Sequence, residues 1–135
     1  MSFRITVPGQ PQGKGRARFG NGRTYTPAKT VAYEGLIAYA GQQVMQDFQR
    51  TLIEGPIYLT VTAYFAFPKS MSAKKRQAKL VHWHTARPDG DNILKAACDG
   101  LNGIVWKDDC QVAFAKIAKE YADVPRLEII VEPLL

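Results

Sequence analysis

The sequence has little cysteine and no long apolar run. Its two cysteines, Cys98 and Cys110, form no C-x-x-C pair and are too few for a disulfide-rich secreted domain, so we expect reduced thiols. No stretch approaches the roughly 18 consecutive apolar residues that a membrane-spanning helix requires. The first residues alternate between apolar and polar instead of forming the apolar centre of a signal peptide. These absences predict a cytoplasmic protein.

Several motifs of nucleotide and metal sites are also absent. The chain contains neither G-x-x-x-x-G-K-[ST] nor G-x-G-x-x-G, the glycine-rich loops that bind nucleotide phosphates. A calcium loop starting at Asp89 fails because Ile93 and Gly100 stand at its fifth and twelfth positions, where oxygen ligands are needed. His82 and His84 have a spacing that suits zinc, but no third soft ligand accompanies them. These classes of protein are therefore disfavoured.

Acidic residues are absent from two segments of the chain. The net charge is +6, from 18 basic and 12 acidic residues, and residues 1–33 hold six basic residues without any acid. The acid-free segment between Glu54 and Asp89 contains six more basic residues, and five of the 12 acids then fall within 89–109. Basic segments on both sides of an acidic cluster suit a polyanion held over a metal site, although solvated surface lysines give the same composition.

The hydrophobic pattern predicts alternating strands and helices. Four segments alternate between apolar and polar residues and are predicted strands: 3–7, 57–67, 112–121 and 126–131. Three segments have helical spacing or helix-capping signals: 27–50, 73–80 and 92–101. In the first helix, the residues expected on the apolar face are Val31, Leu36, Ile37, Ala40, Val44 and Phe48.

The order of these elements, β-α-β-α-α-β-β, predicts an α+β fold: a single domain over residues 1–135 with a mixed β-sheet packed against helices. Residues 9–27 are rich in glycine, proline and arginine, which opposes regular structure. We expect this segment to form an exposed basic loop or a loose hairpin.

The segment R-P-D-G-D-N-I-L-K at 87–95 is the strongest candidate for chemistry. Pro88 and Gly90 favour a tight, non-helical segment. In an extended segment, residues two apart project to the same side, so Asp89 and Asp91 are expected to converge. Their oxygen donors suit Mg²⁺ or Mn²⁺. The structural alternative is that Asp91 or Asn92 caps the following helix.

Lys95 and the pair Asp108-Asp109 complete the candidate cluster. Lys95 lies one helical turn after Asp91, where an ammonium stabilises negative charge that develops on a phosphate. Its alternative role is a surface ion pair with Asp99. Asp108 and Asp109 precede a predicted strand and project to opposite sides if they are extended, so one of them is expected in the site. A simple turn is the alternative role for this pair.

Together, these motifs resemble the RusA family of Holliday-junction resolvases, small endonucleases common in phages and prophages. The similarity runs over nearly the whole chain. It rests on segments whose ordered combination is specific, although each alone is weak: 7–11, 14–19, 22–27, 87–95, 99–103 and 105–112.

The resemblance implies that Asp89, Asp91 and Asp109 are catalytic residues that bind the metal, with Lys95 at the position of the family's lysine. It implies Mg²⁺, for which Mn²⁺ can substitute, and a homodimer that cuts four-way DNA junctions twice in recombination and repair. One chain offers one aspartate cluster, and two nearly symmetric cuts need two. The basic residues expected to bind phosphates of the junction arms are Lys14, Arg16, Arg18, Arg23, Lys74, Lys75, Arg76 and Arg87.

Two other functions remain open on the sequence. In the first, the chain binds nucleic acid without cutting it, and the aspartates only cap a helix and shape a turn. In the second, the same site cuts other DNA structures, such as flaps or replication forks. Mg²⁺-dependent nicking separates the first from a nuclease, and a panel of branched and linear substrates separates the second.

Overall fold

A four-stranded sheet with two long helices on one face forms the centre of the computed structural model, which describes residues 2–48, 50–78 and 82–135. The strands are β1 (Phe3–Pro8), β2 (Arg18–Gly20), β3 (Arg23–Tyr25), β4 (Ile57–Ala66), β5 (Val112–Ala122) and β6 (Arg126–Pro133). Among the described residues, the helices are α1 (Ala28–Asp47), α2 (Ala73–Gln77) and α3 (Gly90–Leu101), and a 3₁₀ turn spans Asp109–Gln111. Within the described ranges, no helix is both long and apolar enough to cross a bilayer.

The main sheet is mixed, as the sequence predicts. Its strand order is β1-β6-β4-β5, with β5 parallel to β4 and the other neighbours antiparallel. Alternate residues of β1, β4 and β6 are buried, and α1 and α3 cover this apolar face. The prediction of one α+β domain with a mixed sheet packed against helices is confirmed for the fold class. The strands at 3–7, 57–67, 112–121 and 126–131 are also found, with ends that differ by a few residues.

The predicted apolar face of α1 is confirmed in part, because Ile37 is buried and Ala40 and Val44 pack against the core. Val31, Leu36 and Phe48 are more than half exposed, so the prediction was wrong for these three. The buried residues of the helix are Thr30, Tyr33, Ile37, Gly41 and Met45. Apolar residues surround this helix, so spacing alone does not select the packed face. Gly41 lies on the packed face, where a methyl group would be 2.6 Å from Cδ2 of Leu101 in α3.

The ends of several elements also differ from the predictions. Pro27 precedes α1 as its cap and makes no side-chain capping bond, whereas the helix was predicted to include residue 27. The basic loop contains a short hairpin, β2–β3. The helix α2 begins after Ser72, whose hydroxyl accepts a hydrogen bond from the Lys75 amide. The predicted end of this helix at 79–80 lies outside the described residues.

Gly100 allows α3 to pack closely against α1. A methyl group at this position would lie 2.7 Å from Cγ2 and 2.8 Å from Cβ of Ile37, and 3.1 Å from the backbone oxygen of Glu34. These atoms belong to a packed side chain and to the backbone, so they do not move aside easily. The distance between the two helices therefore depends on this glycine.

We expect Gly100→Ala to lower the free energy of unfolding by about 1 kcal/mol or more, because overpacking costs about 1–3 kcal/mol and outweighs the helix-propensity gain of alanine. Gly35→Ala is the matched control, since no atom lies within 4 Å of a methyl group at that helical position. It should raise the unfolding free energy by up to about 1 kcal/mol. Urea unfolding measures both, and equal effects would contradict this account of the helix contact.

Candidate active site

Asp89 and Asp91 lie at the beginning of α3. Asp89 is the residue before the helix, with an extended backbone, and its carbonyl oxygen accepts a hydrogen bond of 3.2 Å from the amide of Ile93. Asp91 is in the first turn of the helix. Both residues are exposed. The predicted helix 92–101 is found, but it begins at Gly90, where this backbone bond starts the helix. The extended geometry that was expected to make the two carboxylates converge is therefore absent.

The two carboxylates do not cap α3 through their side chains, although helix capping was the structural alternative to a metal site. Asp89 is the cap residue, yet its side chain accepts no capping hydrogen bond. Neither side chain has a hydrogen bond or ion pair with another residue in the described part of the chain. Carboxylates near a helix N-terminus are stabilised by the helix dipole, which accounts for their charge without a partner. Both remain available to bind a cation.

Lys95 is exposed on α3 one turn after Asp91. The expected alternative was an ion pair with Asp99. Asp99 instead forms an ion pair with Lys14, with 2.9 Å between Asp99 Oδ2 and Lys14 Nζ. Lys95 has no ion pair or hydrogen bond among the residues that the structure describes. Its ammonium is thus free to interact with an anion beside the two aspartates.

Asp108 and Asp109 have separate roles at the 3₁₀ turn. The Asp108 carboxylate accepts a hydrogen bond of 3.1 Å from the amide of Cys110 and caps the turn, while the Gln111 side chain accepts from the amides of Lys107 and Asp108. Asp109 accepts a bond of 2.7 Å at Oδ1 from the indole Nε1 of the fully buried Trp106. Of the two aspartates, only Asp108 therefore caps the 3₁₀ turn.

Asp109 lies near the second half of α3. Burial and the negative charges of Asp109 and Asp99 raise the pKa of Cys98 to about 12. Burial also raises the pKa of Asp109 above its usual range, as do Asp99 and Asp108, while the Trp106 hydrogen bond opposes the shift. Asp109 is therefore close enough to Cys98 for its charge to affect the pKa of that thiol. Cys98 follows Asp91 by seven residues, which is about 10 Å along the helix axis.

The described ranges contain no group of three or more His, Cys, Asp or Glu side chains arranged to hold a metal ion. Asp89 and Asp91 are close in the chain, whereas Asp109 interacts electrostatically with Cys98 and Asp99. The assignment of the three aspartates as metal ligands stays a prediction. Two carboxylates still suit Mg²⁺, which proteins commonly bind through one or two carboxylates together with water and substrate phosphate.

Lys14, which the sequence analysis assigned to DNA binding, connects the basic loop to both helices. Its ammonium lies 2.7 Å from Glu34 Oε2 in α1 and 2.9 Å from Asp99 Oδ2 in α3. Burial by itself lowers the pKa of Lys14, but the hydrogen bonds and charges of Glu34 and Asp99 outweigh it and raise the pKa. The charge of Lys14 is neutralised by these two acids, so its observed role is to anchor the loop.

The other predicted DNA-binding residues fall into three groups. Arg16 and Arg87 are exposed and line the same cleft as Asp89, with a volume of about 660 Å³. Arg18 and Arg23 are exposed on the β2–β3 hairpin. The remaining three, Lys74, Lys75 and Arg76, are exposed on α2, where Arg76 borders a different cleft together with Trp83 and Tyr121. Arg16 and Arg87 therefore lie in the cleft of Asp89, whereas the basic residues of α2 do not line it.

Residues 8–132 match the family model described as Endodeoxyribonuclease RusA. The chain belongs to this family. It is also 33% identical over 137 residues to the uncharacterized protein YqaN of Bacillus subtilis strain 168, covering 96% of this chain and 94% of that protein. Membership of the RusA family makes the chain an endodeoxyribonuclease of a family that acts on branched DNA junctions. The resemblance found in the sequence motifs is confirmed.

Lys119 is a residue of this RusA domain that the sequence analysis missed. It lies on β5, and its Nζ donates hydrogen bonds of 2.6 Å to the carbonyl oxygen of Ala86 and 2.8 Å to that of Pro88. It therefore holds the backbone just before Asp89. The only sequence signal is a lysine within a predicted strand, and its orientation becomes evident once the strand register pairs it with the buried Ala63.

The two histidines have partners that differ from a zinc site. His82 Nε2 lies 2.7 Å from Glu120 Oε1. His84 is buried and stacks on Phe65 with 3.7 Å between ring centroids. Burial lowers the pKa of His84, and the charge of Lys119 lowers it further. His82 is therefore accounted for by ion pairing and the His84 ring by packing, whereas the buried Nδ1 of His84 has no hydrogen-bond partner among the described residues.

The raised pKa of Asp109 predicts a specific dependence of stability on pH. The folded state binds this proton more tightly than the unfolded state, so stability is lost as the pH rises from the ordinary aspartate pKa through the higher folded value. Asp109→Asn is uncharged throughout and keeps an oxygen for Trp106. Its unfolding free energy relative to the parent should therefore increase across this pH window. Urea unfolding at several pH values measures the difference.

Asp47→Asn, at the exposed end of α1, is the matched control for the pH experiment. A stability difference between Asp109→Asn and the parent that stays constant with pH, or that falls as the pH rises, would contradict the burial and charge environment assigned to Asp109.

Proposed function

We propose that this chain is a Mg²⁺-dependent endodeoxyribonuclease that resolves Holliday junctions during recombination and repair, with Mn²⁺ as a possible substitute. The single observation that supports it best is that Asp89 and Asp91 are exposed and without partners at the beginning of α3, in a chain of the RusA family. Carboxylates without a protein partner are free to bind a cation, and proteins commonly hold Mg²⁺ through one or two carboxylates together with water and substrate phosphate.

Asp89 and Asp91 are proposed to hold the ion, and Asp109 is proposed as a third carboxylate. A bound Mg²⁺ would polarise the phosphate and lower the pKa of a water molecule. Asp109 has one oxygen committed to Trp106 and the other without a hydrogen bond among the described residues. Protons compete with a metal ion for a carboxylate, and the pKa of Asp109 is raised by burial, so metal affinity should fall as the solution becomes more acidic.

Lys95 is proposed to act on the DNA phosphate, and Lys119 is proposed to position Asp89. The free ammonium of Lys95 lies one turn from Asp91 and stabilises negative charge as it develops on the phosphate. Lys119 fixes the carbonyl groups before Asp89 and so limits the movement of that carboxylate. Arg16 and Arg87 line the cleft of Asp89 and would bind phosphates of the DNA there.

A homodimer supplies the second cut. A four-way junction has twofold symmetry, and one chain carries one copy of Asp89, Asp91 and Lys95. Two chains related by a twofold axis would present two such sites to two strands of the junction. Cutting of other branched structures uses the same side chains, so the choice of substrate is what separates the two nuclease functions.

The proposal is tested by cleavage of synthetic four-way, three-way and linear DNA with and without Mg²⁺. We expect paired cuts in the four-way junction only with the ion. Asp89→Asn and Asp91→Asn should each reduce the rate about 10²- to 10³-fold or more, because each removes charge that holds the ion. Both variants should still bind the junction.

Asp47→Asn is the control and should cut at the parent rate, since α1 spans 20 residues, about 30 Å, and Asp47 lies at its far end. Cleavage at the parent rate by Asp89→Asn or Asp91→Asn would refute the site assignment. Preference for three-way or flap substrates would favour the other nuclease function, and binding without any Mg²⁺-dependent cut would favour the binding function.

A further inference from the structure

A second cleft lies next to the acidic residues, between the basic loop and the start of α1. We call it the proline cleft because Pro11, Pro27 and Pro88 line it. Its volume is about 540 Å³, within the range of sites that bind small organic molecules. The side chains of Gln10 and Gln12 add amide groups to this mostly apolar lining. Apolar walls with a few polar groups suit a base and sugar better than a phosphate alone.

The charge of the proline cleft suits a nucleotide. Arg16, Arg18 and Lys29 line it and are exposed, and its lining contains no acidic residue. Positive charges at the rim of an apolar cleft match a nucleoside with a phosphate on each side.

The proline cleft continues into the cleft that contains Asp89. The two share Gly13, Arg16 and Pro88. A DNA strand with one nucleoside in the proline cleft would therefore pass Arg16 and bring its adjacent phosphate to Asp89. Gly13, which lines both clefts, packs closely against α3 and the residue before Asp89. A methyl group at Gly13 would lie 3.0 Å from Pro88 Cβ and 3.1 Å from Asn92 Cβ.

The wall of the proline cleft is fixed by hydrogen bonds to both helices. The Lys14 amide donates 2.9 Å to the carbonyl oxygen of Asn92, and the Gly15 amide donates 2.9 Å to Oγ1 of the buried Thr30. The ion pairs of Lys14 with Glu34 and Asp99 add to these bonds. A preformed wall reduces the ordering that binding would otherwise require.

We infer that the proline cleft binds the base and sugar of one unpaired nucleotide beside the phosphodiester bond that is cut. The inference rests on the proposed function, since it takes Asp89 as part of the cutting site. Removing a base from a duplex costs unstacking and unpairing energy, and the cost is lowest where pairing is already disturbed, as at a branch point. The cleft thereby selects branched over linear DNA without reading a long sequence.

The test uses a four-way junction with the fluorescent base 2-aminopurine at the branch point, bound in EDTA so that no cutting occurs. Binding of the parent protein should increase the fluorescence, because the base leaves the stack. Gln12→Trp fills the cleft and should abolish the increase and weaken junction binding roughly 5- to 150-fold, the loss expected for one base contact. Gln43→Trp, on the exposed part of α1, is the matched control and should behave as the parent.

Lys29→Glu is a second variant, in case Gln12→Trp does not fold. It reverses one exposed charge at the cleft and should also reduce the fluorescence increase. The inference is overturned if the parent binds the junction without a fluorescence increase, or if both variants match the parent.

Cleavage in Mg²⁺ distinguishes the two proposals. A parent protein that cuts the junction without the fluorescence change refutes the cleft alone. A fluorescence change that Gln12→Trp abolishes, in a protein that cuts nothing, supports the cleft and refutes the nuclease proposal.

Discussion

The close contact between α1 and α3 at Gly100 determines much of the remaining structure. It brings Glu34 and Asp99 near each other across the two helices, and two neighbouring carboxylates of this kind require a cation. Lys14 supplies it and so fixes a loop that glycine, proline and arginine would otherwise leave irregular. The anchored loop forms one wall of the clefts beside Asp89. Helix packing, charge pairing and the shape of the candidate site therefore depend on one another.

The five acids between residues 89 and 109 are separated by the structure into two kinds. Three have partners that the fold requires: Asp99 pairs with Lys14, Asp108 caps the 3₁₀ turn, and Asp109 accepts the indole hydrogen of Trp106. Asp89 and Asp91 have none among the described residues. Asp109 is intermediate between the two kinds, because its hydrogen bond from Trp106 occupies one oxygen only, and burial raises its pKa.

The sequence predicts the parts of this structure that depend on local pattern. The alternation in β4 identifies that strand, and the family motifs identify the candidate residues. The full buried face of α1 and the partner of Lys14 could not be predicted, because each depends on a contact between segments distant in the chain. The start of α3 at Gly90 was missed for a local reason, since Pro88 and Gly90 favour a loop on their own. The position of Lys119 required the strand register.

The central proposal is that Asp89, Asp91 and Asp109 share one divalent ion, although the described side chains alone form no group of three ligands. Mn²⁺ added in small amounts broadens the NMR signals of nearby amides, so it locates the ion directly without DNA or cleavage. The account predicts the strongest broadening at residues 89–95 with a further effect at Asp109, and loss of both effects in Asp89→Asn. Broadening centred elsewhere, or effects at 89–95 that leave Asp109 unchanged, would contradict the shared site.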